Sequence, residues 1–147
     1  MKFNRFFSLG AVAMFIGCDA MAQTPDLVGT WTGEVVTLLQ SEGELVERAT
    51  AISVVIEKVN GNHIFGYRTW KIIDKPVPGY VGDVPLTSAS EKFIGAISSD
   101  GDTLRLVEVE DRGIMFGEVL GPDEIEFTYI ETAPHPVAFT GIYHREQ

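Results

Sequence analysis

From Gly29 onward the chain alternates apolar and polar positions with a period of two. Trp31, Gly33, Val35, Thr37 and Leu39 alternate with Thr32 and Glu34. Ile52, Val54 and Ile56 alternate with Ser53 and Glu57, and Ile125, Phe127 and Tyr129 with Glu126 and Thr128. That period places one set of side chains on a dry face and the other in water, as in a half-buried strand. No stretch after residue 22 holds an apolar stripe at helical spacing.

Turn-forming residues cut this pattern into about eight strands: Leu27 to Leu39, Leu45 to Val59, His63 to Ile73, Glu91 to Ser98, Thr103 to Glu110, Ile114 to Leu120, Glu124 to Glu131 and Val137 to Arg145. Asn60-Gly61 is the clearest hairpin signal, because both residue types accept the positive φ of a type I′ turn. Asp100-Gly101, Asp111-Arg112-Gly113 and Gly121-Pro122-Asp123 supply further turns, and Asp74 to Thr87 is the one long connection. The run Leu104 to Val109 changes phase between Leu106 and Val107, which predicts a bulge there.

Short strands joined mostly by tight turns make an antiparallel meander, and closing it into a barrel removes its two unpaired edges. Phe65-Gly66, Phe93-Ile94-Gly95, Phe116-Gly117 and Phe139-Thr140-Gly141 repeat an aromatic followed within two residues by glycine. Glycine inside a strand weakens a flat sheet but permits the sharp coiling of a small barrel. The predicted fold class is therefore all-β, a single antiparallel up-and-down barrel of about eight strands following an N-terminal signal peptide.

The first residues read as an export signal. Lys2 and Arg5 precede an apolar run from Phe6 to Gly17, and Ala20-Met21-Ala22 offers the small residues of a cleavage site. That run is shorter than the ~20 residues that span a bilayer. The expected division is a signal peptide at 1–22 and a barrel domain at 23–147, with the mature protein periplasmic or secreted. Phe15-Ile16-Gly17-Cys18 offers a rival lipobox, in which acylated Cys18 would anchor the protein to a membrane. Simple cleavage is preferred, and it leaves a domain without cysteine that must rest on its core.

Removing Lys2, Arg5 and Asp19 with the signal leaves nine basic against twenty acidic residues, a net charge of −11. Such a surface repels nucleic acid and anionic lipid and favours a basic or neutral partner. His63, His135 and His144 lack metal-pair spacing, so no metal site is predicted. No nucleophile triad or phosphate loop appears, and no cofactor is expected. The acids at Asp100 and Asp102, at Glu108, Glu110 and Asp111, and at Asp123, Glu124 and Glu126 read as solvated turns.

Gly29-Thr30-Trp31 at the start of the first strand resembles the Gly-x-Trp of the calycins, the group that holds lipocalins, fatty-acid-binding proteins and avidins. The resemblance implies that Arg145, near the end of the last strand, packs across Trp31 and plugs one end of the barrel. The 74–87 loop is similar to the lid loop of avidins, although the tryptophans those proteins place around biotin have no counterparts here.

The remaining basic–aromatic concentration is Tyr67-Arg68-Thr69-Trp70-Lys71, leading toward Tyr80. Tyr67, Arg68, Trp70 and Tyr80 are the candidate ligand contacts, suited to a small apolar, aromatic or anionic molecule entering near the long loop. A binding role is favoured over catalysis. The alternatives are an acidic interaction module, such as a periplasmic inhibitor of a basic enzyme, and a cofactor-free isomerase or cyclase with an ionisable group buried in the lumen.

Overall fold

A computed structural model describes residues 26–41, 43–74, 89–132 and 136–147. The expected signal segment, Cys18, Tyr80, His135 and most of the long connection lie outside these residues. Eight strands run in chain order: β1 (Gly29–Ser41), β2 (Glu44–Asn60), β3 (His63–Ile72), β4 (Ala89–Ile97), β5 (Thr103–Glu108), β6 (Gly113–Gly121), β7 (Glu124–Glu131) and β8 (Val137–Arg145). Every strand pairs antiparallel with its sequence neighbour, and β1 pairs with β8, so the meander closes into one up-and-down barrel. Among the described residues there is no helix.

The period of two survives around the whole wall. Trp31, Val35, Val54, Ile64, Phe93, Leu106, Phe127 and Tyr143 all point inward and are buried. Burying an aliphatic or aromatic side chain contributes roughly 1.5–3 kcal/mol. Inward glycines make room for their large neighbours. Phe127 stands in register with Gly117 on one side and Gly141 on the other, and a Cβ on Gly117 would fall 2.7 Å from its ring. Gly66 does the same for the Phe93 ring, whose nearest atom lies 2.7 Å from the vacant Cβ position.

Two sequence expectations need correction. β5 keeps strict alternation: Leu104, Leu106 and Glu108 point inward, Arg105 and Val107 outward, with no shift in either of its ladders. The bulges lie instead between Ile56 and Lys58 and between Val119 and Gly121. Val107 is apolar yet outward because the outer wall is not uniformly polar. A cross-strand row of Phe65, Ile94, Val107, Ile114, Ile130, Ala138 and Leu38 follows the register around six strands and the β8–β1 seam. The second correction is small. Asn60 pairs with His63, so the tight turn is Gly61-Asn62, one residue later than expected, with Gly61 at φ 58°.

Alternate hairpins define the two ends of the cylinder. Residues 26–28 and the turns 61–62, 98–102 and 122–123 lie at one end. Gly43, Ile73, Asp74, the 109–112 loop, Thr132 and Pro136 lie at the other.

Candidate functional site

The first end is plugged. The Arg145 guanidinium lies over the Trp31 ring at 4.3 Å from the centroid, and Trp31 is fully buried. Trp31 Nε1 donates to the Leu27 carbonyl at 3.1 Å, which folds the buried Leu27 beneath the indole. Arg145 spends its donors on main-chain oxygens: Val28 at 2.8 Å, Asp26, and Pro122 at 3.3 Å. Gly29 adopts φ 148°, and a Cβ there would come within 2.9 Å of Arg145 Nη1, so the glycine of Gly-x-Trp is a requirement of this plug.

The opposite end holds a second arginine–tryptophan pair in a different setting. β3 turns Arg68 inward, 4% exposed, by the parity that also buries Ile64 and Gly66. Its guanidinium is sandwiched between the Trp70 ring, 4.5 Å from the centroid, and the Tyr129 ring, at 4.0 Å. Nη2 bridges two carboxyl groups, Glu91 at 2.8 Å and Glu108 at 2.6 Å. The Tyr129 hydroxyl lies 2.9 Å from Glu108 Oε2 and 3.0 Å from Glu131 Oε2. Gly113 backs the cluster, because a Cβ there would stand 2.0 Å from Glu108 Oε2 and 2.3 Å from the tyrosine oxygen.

Three carboxyls around one guanidinium cannot all behave as free acids. Burial, reinforced by a hydrogen bond shared with Glu108, pushes Glu91 up to about 8 against the opposing pull of Arg68. Burial also pushes on Glu108, but the Glu91 hydrogen bond, the Arg68 charge and the Tyr129 hydroxyl outweigh it and hold Glu108 below the usual carboxylate range. Burial raises Glu131 as well, the Tyr129 hydrogen bond opposing it and Asp111 and Glu108 adding to it. At neutral pH the cluster is therefore an Arg68–Glu108 ion pair, a protonated Glu91 and a Glu131 beside them.

A cavity of about 50 Å3 opens next to this cluster, room for a few water molecules. Arg68, Trp70, Tyr129 and Glu131 line one side, Leu39, Ile72, Val137 and Phe139 the other, with Thr37 and Thr50 between. Thr37 Oγ1 and Arg68 Nε, on two residues that line this cavity, are buried with no hydrogen-bond partner in the protein, as is Arg48 Nε. The Tyr143 hydroxyl is likewise buried without a partner. Each such group costs roughly 1–3 kcal/mol unless water or a ligand satisfies it.

Of the expected ligand contacts, Arg68 and Trp70 share this cavity wall. Tyr67 does not, because parity turns it to the outer face, where it stands in register with Val55 and Lys92. Arg68 is also not the free anion anchor it was read as, since two carboxyls already occupy it. Reading Glu108 as part of a solvated turn is corrected too: its side chain is 5% exposed. Sequence reasoning missed Glu91, Glu108, Tyr129, Glu131 and Thr37 as site residues. The available signal was parity, since Glu91 shares the phase of Phe93, Glu108 that of Leu106, and Glu131 that of Phe127.

His63 and His144 are exposed, and His144 lies 3.7 Å from Glu124. Among the described residues no group of histidine, cysteine and acidic side chains is arranged to hold a metal ion.

No protein-family model matches the chain, and no curated protein matches it. A solved structure of a redesigned β-barrel is similar at 13% identity and a TM-score of 0.47, over 82% of this chain and 92% of that one. The chain is a small closed β-barrel; that class follows from its own strand pairing.

Proposed function

We propose that this chain is an exported, calycin-like binding barrel that admits a small ligand with an apolar or aromatic body through its open end. The observation that carries the reading is the asymmetry of the lumen. One end is sealed by Arg145 over Trp31, and the other opens on a cavity with an aromatic–cationic wall and two unpartnered polar atoms. Apolar pockets with a few converging polar groups are the usual form of small-molecule sites. The resemblance of Gly29-Thr30-Trp31 and Arg145 to the calycin plug supports the same reading.

The chain's two tryptophans make a direct test, because they stand at opposite ends. Titrating small aromatic compounds should quench Trp70 emission saturably in the Trp31→Phe variant and leave the Trp70→Phe variant silent. A panel that neither quenches Trp70 nor raises the melting temperature would sink the proposal.

A second reading, acid–base isomerisation inside the barrel, is favoured by one feature: Glu91 titrates near neutrality beside an ionised Glu108. A general acid or base works best when its pKa lies near the operating pH. Its test is deuterium wash-in from solvent to an enolisable ketone, measured by NMR, catalysed by the wild type and lost in Glu91→Gln. Wash-in equal to that in buffer removes this reading and leaves the binding one standing.

A further inference from the structure

The polar group of the ligand follows from the donors left without acceptors at the open end, given the binding reading above. We propose that the cavity holds a carboxylate, received by Arg68 and Thr37, with the rest of a small acid toward the mouth. Arg68 is 4% exposed and spends Nη2 on Glu91 and Glu108, but its Nε–H has no acceptor in the protein. Thr37 is 5% exposed, and its hydroxyl is equally without a partner. Both residues line the same cavity. Arg48 stands opposite Thr37 in the β1–β2 ladder, so it shares the inward face, and its Nε is a third buried donor without a partner. A guanidinium N–H can only donate. Two such groups and a hydroxyl call for an acceptor, and a carboxylate answers them with the stronger, charge-assisted bonds.

The charges at this end allow it. The buried and half-buried charged residues of inward phase here are Arg48, Arg68, Glu91, Glu108 and Glu131. Glu91 is protonated at neutral pH, so the two arginines balance Glu108 and Glu131. The Tyr129 hydroxyl carries one proton and lies 2.9 Å from a Glu108 oxygen and 3.0 Å from a Glu131 oxygen. Spent on the ionised Glu108, that proton leaves the phenol oxygen to accept, and a protonated Glu131 is the matching donor. Burial pushes Glu131 in the same direction. This end is then one charge positive, and an entering carboxylate neutralises it. Size selects the group. The enclosed space is about 50 Å3, where one water needs about 10–15 Å3, so it takes about three or four heavy atoms. That is a carboxylate with its α-carbon and not an aromatic ring. Leu39 and Val137 line the cavity from the strand ends nearest the open end, and the apolar body of the acid lies toward them.

The test is calorimetric titration of the full chain with phenylacetate, its neutral isostere phenylacetamide, and acetate. Phenylacetate should bind at least about tenfold more tightly than phenylacetamide. Thr37→Val removes the hydroxyl at nearly constant volume. It should cost phenylacetate about fivefold and hold or raise the melting temperature, because a buried unpartnered group goes with it. Acetate that matches phenylacetate assigns the site to a free small anion, and weaker acetate assigns it to the head of a larger acid; both uphold the proposal. Equal binding of acid and amide, or an unaltered acid affinity in Thr37→Val, would overturn it and leave the binding barrel standing. Should that variant fail to fold, the ratio of acid to amide on the wild type decides alone. Acid and amide that both fail to bind overturn it as well, and the binding reading falls with it only if the aromatic panel also leaves Trp70 silent.

Discussion

The barrel has an arginine stacked on a tryptophan at each end, and the two pairs do opposite things. Arg145 over Trp31 and Arg68 over Trp70 are alike in ring distance, 4.3 and 4.5 Å. Arg145 points its donors at main-chain carbonyls and at exposed Asp123, so its charge is partly shared with water and its fork ties three chain segments together. Arg68 points its donors at buried carboxyls, so its charge pulls those acids down against the burial that pushes them up. The same cation–aromatic pair is a seam in one setting and a site in the other. What decides is whether its counter-groups are main-chain carbonyls and an exposed acid or ionisable groups enclosed in the lumen.

The largest expected effect separates the two arginines. Arg68→Met strands the ionised Glu108 without its cation and should cost about 3–5 kcal/mol, read from denaturant midpoints. Arg145→Met loses a partly exposed stack and hydrogen bonds to carbonyls, for about 1–2 kcal/mol. Equal losses would erase the distinction. Next in size is Gly113→Ala, whose methyl displaces Glu108 and Tyr129 and should cost about 1–3 kcal/mol. Gly121→Ala, with open space around the new methyl, should stay within about 0.5 kcal/mol.

A pH series sharpens the contrast further. Glu91 is raised by folding from 4.5 to about 8, so its favourable contribution is complete below pH 4.5 and is lost as pH climbs toward 8. Glu108 is lowered, so its contribution runs the other way and is lost as pH falls below the unfolded value near 4.5. Between pH 5 and 8 Glu91 governs this end, with Glu131 raised in the same sense: the melting temperature should fall with rising pH in the wild type, and the slope should flatten in Glu91→Gln. A slope unchanged by that substitution would mean that Glu91 is not protonated in the folded barrel. The smallest effect belongs to the plug, where Arg145→Lys keeps the charge but loses the planar fork, for under about 1 kcal/mol in the same midpoint assay.

How much of this was legible differs between the ends. The plug was legible from Gly29-Thr30-Trp31 and Arg145, because a resemblance carried it and strand parity agreed. Strand boundaries were also legible, since glycine, proline and asparagine punctuate them. The open-end cluster was not, although parity placed each member correctly. Assuming a bulge after Leu106 turned Glu108 outward, and grouping it with Glu110 and Asp111 made it look like part of a wet turn. A single wrong phase hid the acid that holds the ion pair.

The sequence by itself determined what acts over one or two residues: which side chains share a face, where the chain turns, and that a cysteine-free domain must be held by its core. Only the closed barrel decided what depends on distance through space. Glu91 and Glu108 sit on β4 and β5 and meet Arg68 of β3, and Glu131 of β7 joins them through Tyr129, because closure wraps those strands around one lumen. Their protonation follows from that enclosure, since burial and a neighbour's charge are properties of a place and not of a residue type.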